Sequence, residues 1–179
     1  MNKNLPLSNI VVLDLTNVLS GPFATQILSD LGAEIIKVEK PNGDDSRKFG
    51  PFIKKRSSYF ISLNRGKKSI VVDFNNEEDK KIFKKLLAIS DVIIDNFKPG
   101  TLEKYGFSSS YLKKNFPLLI QTKISGFGET GPLKENPAYD MIVQAMGGIM
   151  SITGKDKNET YRVGSSIGDI VAGLYAVIG

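Results

Sequence analysis

Ile10-Val11-Val12-Leu13-Asp14-Leu15 is a short apolar run rich in β-branched residues, and it reads as a buried strand. Thr16-Asn17-Val18-Leu19-Ser20-Gly21-Pro22 follows as a loop of turn residues. Phe23-Ala24-Thr25-Gln26-Ile27-Leu28-Ser29-Asp30-Leu31 then carries apolar residues at 24, 27, 28 and 31, the spacing of one helix face. Pro22 in its first turn and Gly32 just past its end match the usual asymmetry of helix termini. Glu34-Ile35-Ile36-Lys37-Val38-Glu39 closes the unit as a second strand. Strand, helix and strand joined by short connections are the building block of a parallel sheet. The first loop of such a unit opens at the carboxyl edge of the sheet, where ligands bind. It offers a lone Gly-Pro rather than G-x-G-x-x-G, which argues against a nicotinamide-dependent dehydrogenase.

The alternation continues outward. Pro41 to Lys68 reads as a long polar loop without regular structure, a length often associated with function. Ser69-Ile70-Val71-Val72-Asp73-Phe74 is a third strand. Asn76-Glu77-Glu78-Asp79 opens a helix that runs to about Ser90, with Ile82, Phe83, Leu86 and Leu87 as its buried stripe. Asp91 to Asn96 is a fourth strand, and short helices are expected around Leu102 to Tyr105 and from Ser109 to Asn115. Leu118 to Ile124 is a fifth strand, running into the glycine-rich loop Ser125 to Pro132. Asp140 to Met150 reads as an amphipathic helix carrying Met141, Ile142, Ala145 and Met146. The fold class is therefore α/β, a doubly wound, mostly parallel sheet of Rossmann type.

Bulk composition narrows the chemistry. The 179 residues suit one domain with a proper core. Cysteine and histidine are both absent, so there is no disulfide framework, no thiolate nucleophile and no histidine-based triad. No metal site is expected. The net charge is +5, but the lysines are scattered, often in pairs such as Lys67-Lys68 and Lys80-Lys81, and alternate with acids. That pattern describes a solvated surface, with no nucleic-acid partner. No apolar run approaches a membrane span, and Met1-Asn2-Lys3-Asn4-Leu5-Pro6 lacks a signal segment, so a cytoplasmic location is expected.

The last stretch concentrates the interest. Gly164-Ser165-Ser166-Ile167-Gly168 leads into Asp169, and Ile170 to Gly179 follows as an apolar helix. An aspartate at a helix start reads as an N-cap or as a reacting carboxylate. Gly168, Ala172, Gly173 and Ala176 leave one helix face almost without side chains, suited to close packing. Val171, Leu174, Tyr175 and Ile178 lie opposite. The sequence stops on an apolar helix, so further structure or a covering partner is expected beyond it.

Taken in order, several stretches resemble the class III CoA-transferases, the family of formyl-CoA, carnitine and succinate–hydroxymethylglutarate CoA-transferases. They are Val12 to Thr16, Ser20 to Thr25, Leu31 to Glu39, Gly43 to Arg47, Tyr59-Phe60 with Leu63 to Ile70, Asp95 to Gly100, Ser125 to Pro132, Tyr139-Asp140 and Gly168-Asp169. The resemblance implies that Asp169 is the nucleophile, attacking an acyl-CoA thioester. It also implies a coenzyme A site built from Leu19, Ser20, Lys40, Val72, Asp73, Phe74, Asn75, Asn96, Phe97, Lys98, Lys104, Pro137, Ala138 and Tyr139. Coenzyme A would be a substrate rather than a permanently bound cofactor, and a small carboxylic acid the second substrate. Phe97 has two readings, adenine stacking and core packing. Lys40 and Lys104 stand where some relatives have arginine, which would remove bidentate phosphate contacts.

Two departures shape the expectation. Related α-methylacyl-CoA racemases carry His-Asp where this chain has Tyr139-Asp140, which disfavours the racemase alternative. Members of the family are about twice as long and form interlocked homodimers. By that resemblance residues 1–179 are the N-terminal part of the large CoA-binding domain, without the small domain and the C-terminal return segment. The activity implied is acyl-CoA:carboxylate CoA transfer, completed by a missing or separately encoded C-terminal half. A truncated, non-catalytic fragment with residual coenzyme A binding is the other reading.

Overall fold

The computed structural model describes residues 5–156 and 158–179. Residues 1–4, part of the signal-segment reading, lie outside them. In chain order the elements are β1 (Val11–Asp14), α1 (Ser20–Asp30), β2 (Glu34–Glu39), β3 (Phe52–Ile53), β4 (Arg56–Ser57), α2 (Ser58–Asn64), β5 (Lys68–Val71), α3 (Glu77–Ala88), β6 (Val92–Asp95), α4 (Ser109–Asn115), β7 (Ile120–Lys123), α5 (Asp140–Met146), β8 (Gly154–Asp156), β9 (Glu159–Thr160) and α6 (Ile167–Ile178). Short 3₁₀ turns cover Asp45–Lys48, Glu103–Tyr105 and Ile149–Ile152.

Five strands form one parallel sheet in the order β5-β2-β1-β6-β7. The strand order reverses between β1 and β6, the doubly wound arrangement expected from the sequence. The period of two along each strand divides its residues between two cores. Leu13, Leu15, Val38 and Ile93 pack with Phe83 and Leu87 of α3 and Leu112 of α4. Val12, Ile35 and Ile94 pack on the other face with Ala24 and Leu28 of α1 and Ala176 and Val177 of α6.

Three sequence expectations are corrected. The stretch 41–68 is not structureless. It folds into a 3₁₀ turn, the β3–β4 hairpin and α2, whose N-cap Ser57 accepts from Phe60 N–H. Arg47 lies 3.8 Å over the Phe60 ring, a tertiary contact that no local periodicity announces. The helix from Asp140 ends at Met146 because Gly147-Gly148 follows, with Gly148 at φ +81°. Its inward face is also the opposite of the expected one: Asp140 and Gln144 are buried, whereas Met141, Ile142 and Met146 are exposed. In α3, Phe83 and Leu87 are buried but Ile82 is exposed.

A fourth correction concerns charge. Lys67, read as half of a solvated pair, is buried and meets Asp14 Oδ2 at 3.1 Å, Thr25 Oγ1 at 2.8 Å and Asn64 Oδ1 at 2.9 Å. On the neighbouring strand, in register with Asp14, Lys37 reaches Asp44 at 2.9 Å and Thr16 O at 2.8 Å. Removing one member of such a buried pair costs about 3–5 kcal/mol, because its partner is left buried and unpaired. These ions tie the first βα loop to β2 and the 44–48 turn.

Glu39, at the end of β2, belongs to the same carboxyl edge. It receives two 2.7 Å bonds from Arg47, one from Ser69 and one from Asp44 N–H. Burial raises its pKa, but the Arg47, Ser69 and Asp44 donors outweigh that and hold it at about 2, below the ordinary 4.5. A depressed carboxylate contributes stability that is complete above pH 4.5 and lost as pH falls through about 2. Glu39→Gln is therefore expected to lower stability at pH 7 by about 1–2 kcal/mol, Arg47 being half-exposed. The gap from wild type should close between pH 4.5 and 2 in thermal melts.

Candidate functional site

At the reversal of strand order, the chain leaving β1 and the chain leaving β6 turn in opposite directions and open a crevice. Asn17 bridges it. Its N–H donates to Asn96 Oδ1 at 2.9 Å, and Asn96 Nδ2 returns a bond to Asn17 O at 2.8 Å. The Asn17 side chain donates to Asp45 Oδ2 at 2.7 Å and accepts from Asp45 N–H at 3.0 Å. Next to it, Val18 sits at φ +68°. A β-branched residue in the left-handed region is strained, and such strain persists only where the surroundings over-determine the backbone.

Above this bridge lies a cleft of about 650 Å³. Leu19 and Ser20 form one wall, Asn96, Phe97 and Lys98 another, and Pro137, Ala138 and Tyr139 a third. Asp169 lines the same cleft with Gly168 and Ala172. A second cleft of about 340 Å³ adjoins it, lined by Lys40, Phe74, Phe97 and Tyr105 among others. Phe97 borders both clefts and also packs on the core, so each of its two sequence readings has a geometric basis.

Four of the expected residues, Val72, Asp73, Asn75 and Lys104, line neither cleft. Val72 is buried within the hydrophobic core, where its side chain is unavailable to a ligand. Asp73 accepts from the backbone and side-chain N–H groups of exposed Asn75, closing a local turn beside α3. Lys104 is exposed on its 3₁₀ turn and lines neither cleft. Lys40, on the second cleft, also pairs with Asp45 at 2.8 Å.

Helix α6 carries Asp169 as its third residue, not as its N-cap. The expected capping role passes to Asp140, which reaches across from α5 and accepts Gly168 N–H at 2.8 Å. That approach needs a glycine: a Cβ at 168 would stand 3.1 Å from both Asp140 Oδ1 and Val143 Cγ1. Helix α6 also packs along α1 through its small face, where a Cβ at Gly173 would lie 2.6 Å from Ser20 O. Among the described residues, no hydrogen bond or ion pair holds the Asp169 carboxylate. Burial raises its pKa above the ordinary carboxylate value, and the charge of Asp140 adds to that. The Tyr59 phenol is likewise raised, by burial first and then by Asp169 and Asp44, so it stays protonated at neutral pH.

Asn17, Asp140 and Gln144 hold this geometry, and sequence reasoning assigned them no role. The signal that was present is the i, i+4 spacing of Asp140 and Gln144, which places both on one helix face. Asp95, at the end of β6, is a buried acid as well: burial raises it to about 6 against the Phe97 N–H and Lys123. Among the described residues no group of acids forms a metal cluster, and no helix is long and apolar enough to cross a membrane.

A parallel α/β sheet with a cleft at its strand-order reversal, walled by a glycine-preceded carboxylate, defines a class of ligand-binding domain. The comparisons make it specific: residues 7–179 match the model of CoA-transferase family III, and the chain belongs to that family. It is 47% identical to an acetyl-CoA:oxalate CoA-transferase of Acetobacter aceti, over 97% of this chain and 45% of the relative. It is 44% identical to a human succinyl-CoA:glutarate CoA-transferase, over 98% of this chain and 41% of the relative. A crystal structure of a CAIB/BAIF family protein from Brucella suis superposes with a TM-score of 0.93 at 46% identity, covering 98% of this chain and 48% of the other. The chain spans about half the length of the curated relatives it matches.

Because the atom nearest a Cβ at Gly173 is the backbone oxygen of Ser20, the tightest point of the α1–α6 contact cannot yield by moving a side chain. Gly173→Val is expected to destabilise the protein by about 1–3 kcal/mol through overpacking, measured by urea unfolding. It should also expose the amides at the start of α6 to faster hydrogen exchange.

Proposed function

We propose that this chain supplies the coenzyme A site and the nucleophile of an acyl-CoA:carboxylate CoA-transferase, completed by the half of the relatives' length that it does not span. The observation that carries the reading is the Asp169 carboxylate: half-buried, free of hydrogen-bond donors among the described residues, and on the wall of the larger cleft. Membership of the family supports it. The relatives' names support a carboxylate acceptor, with oxalate and glutarate as two chemistries found among them.

In this reading an Asp169 oxygen attacks the thioester carbonyl carbon, the C–S bond breaks, and coenzyme A leaves as a thiolate. The product on the protein is a mixed anhydride. The thiolate attacks the aspartyl carbonyl, releases the donor acid and leaves an aspartyl-CoA thioester. The acceptor carboxylate attacks that thioester, giving a second anhydride and thiolate again. Attack of the thiolate on the acceptor's acyl carbon forms the new acyl-CoA and restores Asp169. Dividing one exchange into four displacements is covalent catalysis, and it needs neither histidine nor metal. A carboxylate held above its ordinary pKa is the better nucleophile for the first attack.

The thioester and pantetheine arm would enter the larger cleft past Leu19, Ser20 and Ala138. The adenosine end would lie toward the second cleft, where Phe97 and Tyr105 offer aromatic surface and Lys40 a cation, with Lys98 on the adjoining wall of the larger cleft. Tyr139 stands exposed at the rim where a racemase would need a histidine. The reading carries a homodimer as the family's assembly and a cytoplasmic setting as its expectation.

The test is hydroxylamine trapping with a panel of acyl-CoAs, using this chain together with a polypeptide supplying the remaining half. Wild type should form an acyl hydroxamate and a hydroxylamine-sensitive adduct. Asp169→Ala should abolish both, with coenzyme A affinity changed less than about threefold, since the pocket walls remain. Turnover retained in that variant would remove Asp169 from the mechanism. Binding without any adduct in wild type would mark the chain as non-catalytic.

A further inference from the structure

Gln144 is fully buried on α5, yet a polar side chain there contributes nothing to an apolar core. Every one of its polar atoms is engaged. Oε1 accepts Val163 N–H at 2.8 Å. Nε2 donates to Asp140 Oδ2 at 2.7 Å and lies 3.3 Å from Ser165 O and 3.5 Å from Val163 O. The other Asp140 oxygen accepts Gly168 N–H at 2.8 Å. Two side chains, one helical turn apart, thus fasten both ends of the segment 163–168 that delivers Asp169 to the cleft.

The chemistry of this arrangement is specific. The start of a twelve-residue helix is rich in free N–H groups and favours an anion. A carboxylate that accepts such amides becomes more acidic and less nucleophilic. Here Gly168 N–H is spent on Asp140, and Val163 N–H on Gln144. Asp169 is left facing the cleft with no donor among the described residues. A buried carboxylate, Asp140, stands nearby in place of a cation.

We infer that Gln144 and Asp140 act as a positioning pair for Asp169, occupying the Val163 and Gly168 amides and holding the Asp169 carboxylate bare toward the cleft. The inference rests on the proposed role of Asp169. It goes further in assigning the reactivity of that group to two residues on a different helix. Loss of either should solvate Asp169 and return it toward an ordinary carboxylate.

The experiment is a ¹³C NMR titration of side-chain carboxyls, with the Asp169 signal assigned by its loss in Asp169→Asn. Two variants are compared with wild type: Asp140→Asn, which removes the neighbouring charge, and Gln144→Met, which keeps length and fills the same space without polar atoms. Each should lower the Asp169 midpoint by about half a unit or more. Gln144→Met should also raise the exchange rates of the Val163 and Gly168 amides at least about tenfold. A purely structural role would lower the melting temperature and leave the Asp169 midpoint where it is; that result in a folded variant overturns the inference. Exchange in wild type decides it without any variant. Val163 and Gly168 amides that exchange as fast as their unbonded neighbours also overturn it. The outcome is separable from the proposed function. A shifted midpoint with no acyl adduct in wild type would sink the nucleophile and keep the pair. An adduct with an unshifted midpoint would do the reverse.

Discussion

The divergence of the chain after β1 and β6 is the constraint on which the site depends. Two parallel strands lie side by side in register, and their continuations leave in opposite directions. A gap at that edge cannot be filled by sheet hydrogen bonds, because there is no strand between them. Asn17 and Asn96 span it with amide-to-backbone bonds, and Asp45 joins from the β2 side. The bridge closes the floor of the crevice and leaves its mouth open. The α1–α6 contact then sets the height of the wall, because Gly173 lets α6 rest directly on the backbone at Ser20.

The electrostatics of the site follow from where donors are available. Asp14 and Asp169 are chemically identical and both lose water. Burial pushes the Asp14 pKa up, but Lys37, Lys67 and the hydroxyls of Thr16 and Thr25 reverse the shift and hold it below the usual value. Burial pushes Asp169 up and Asp140 pushes it further, with no cation to answer. One acid is thereby fixed as a permanent anion in the scaffold. The other is kept more basic at the cleft. Environments that drive two like groups in opposite directions mark a division of labour between structure and chemistry.

Much of the architecture was legible because apolar periodicity is a local property. The strand–helix–strand unit at 10–39, the acidic first turn of α3 and the short helix Ser109–Asn115 all reappear where the sequence placed them. Several of the failures share one cause, a residue whose environment is made by distant chain. Lys67 looks like a surface lysine until Asp14 and Asn64 enclose it. Helix α5 looks apolar on the Met141–Ile142–Met146 side, yet it turns Asp140 and Gln144 inward because the segment 163–168 supplies their partners. Helix α2 lacks a clean period and is held by Ser57 and Arg47 instead. Of the residues expected at a coenzyme A site, those on the loops after β1 and β6 and on 137–139 converge. Val72 lines neither cleft, because alternation along the chain turns its side chain into the core.

The central claim is that an Asp169 oxygen takes part in covalent exchange, and oxygen can be followed directly. An acceptor acid labelled with ¹⁸O in its carboxylate is supplied with unlabelled acyl-CoA to the chain and its complementing half, and the peptide holding Asp169 is weighed after turnover. Passage through two anhydrides predicts that Asp169 gains acceptor oxygen, which appears in the released donor acid on the next cycle. New acyl-CoA formed while Asp169 and the donor acid stay unlabelled would contradict the account.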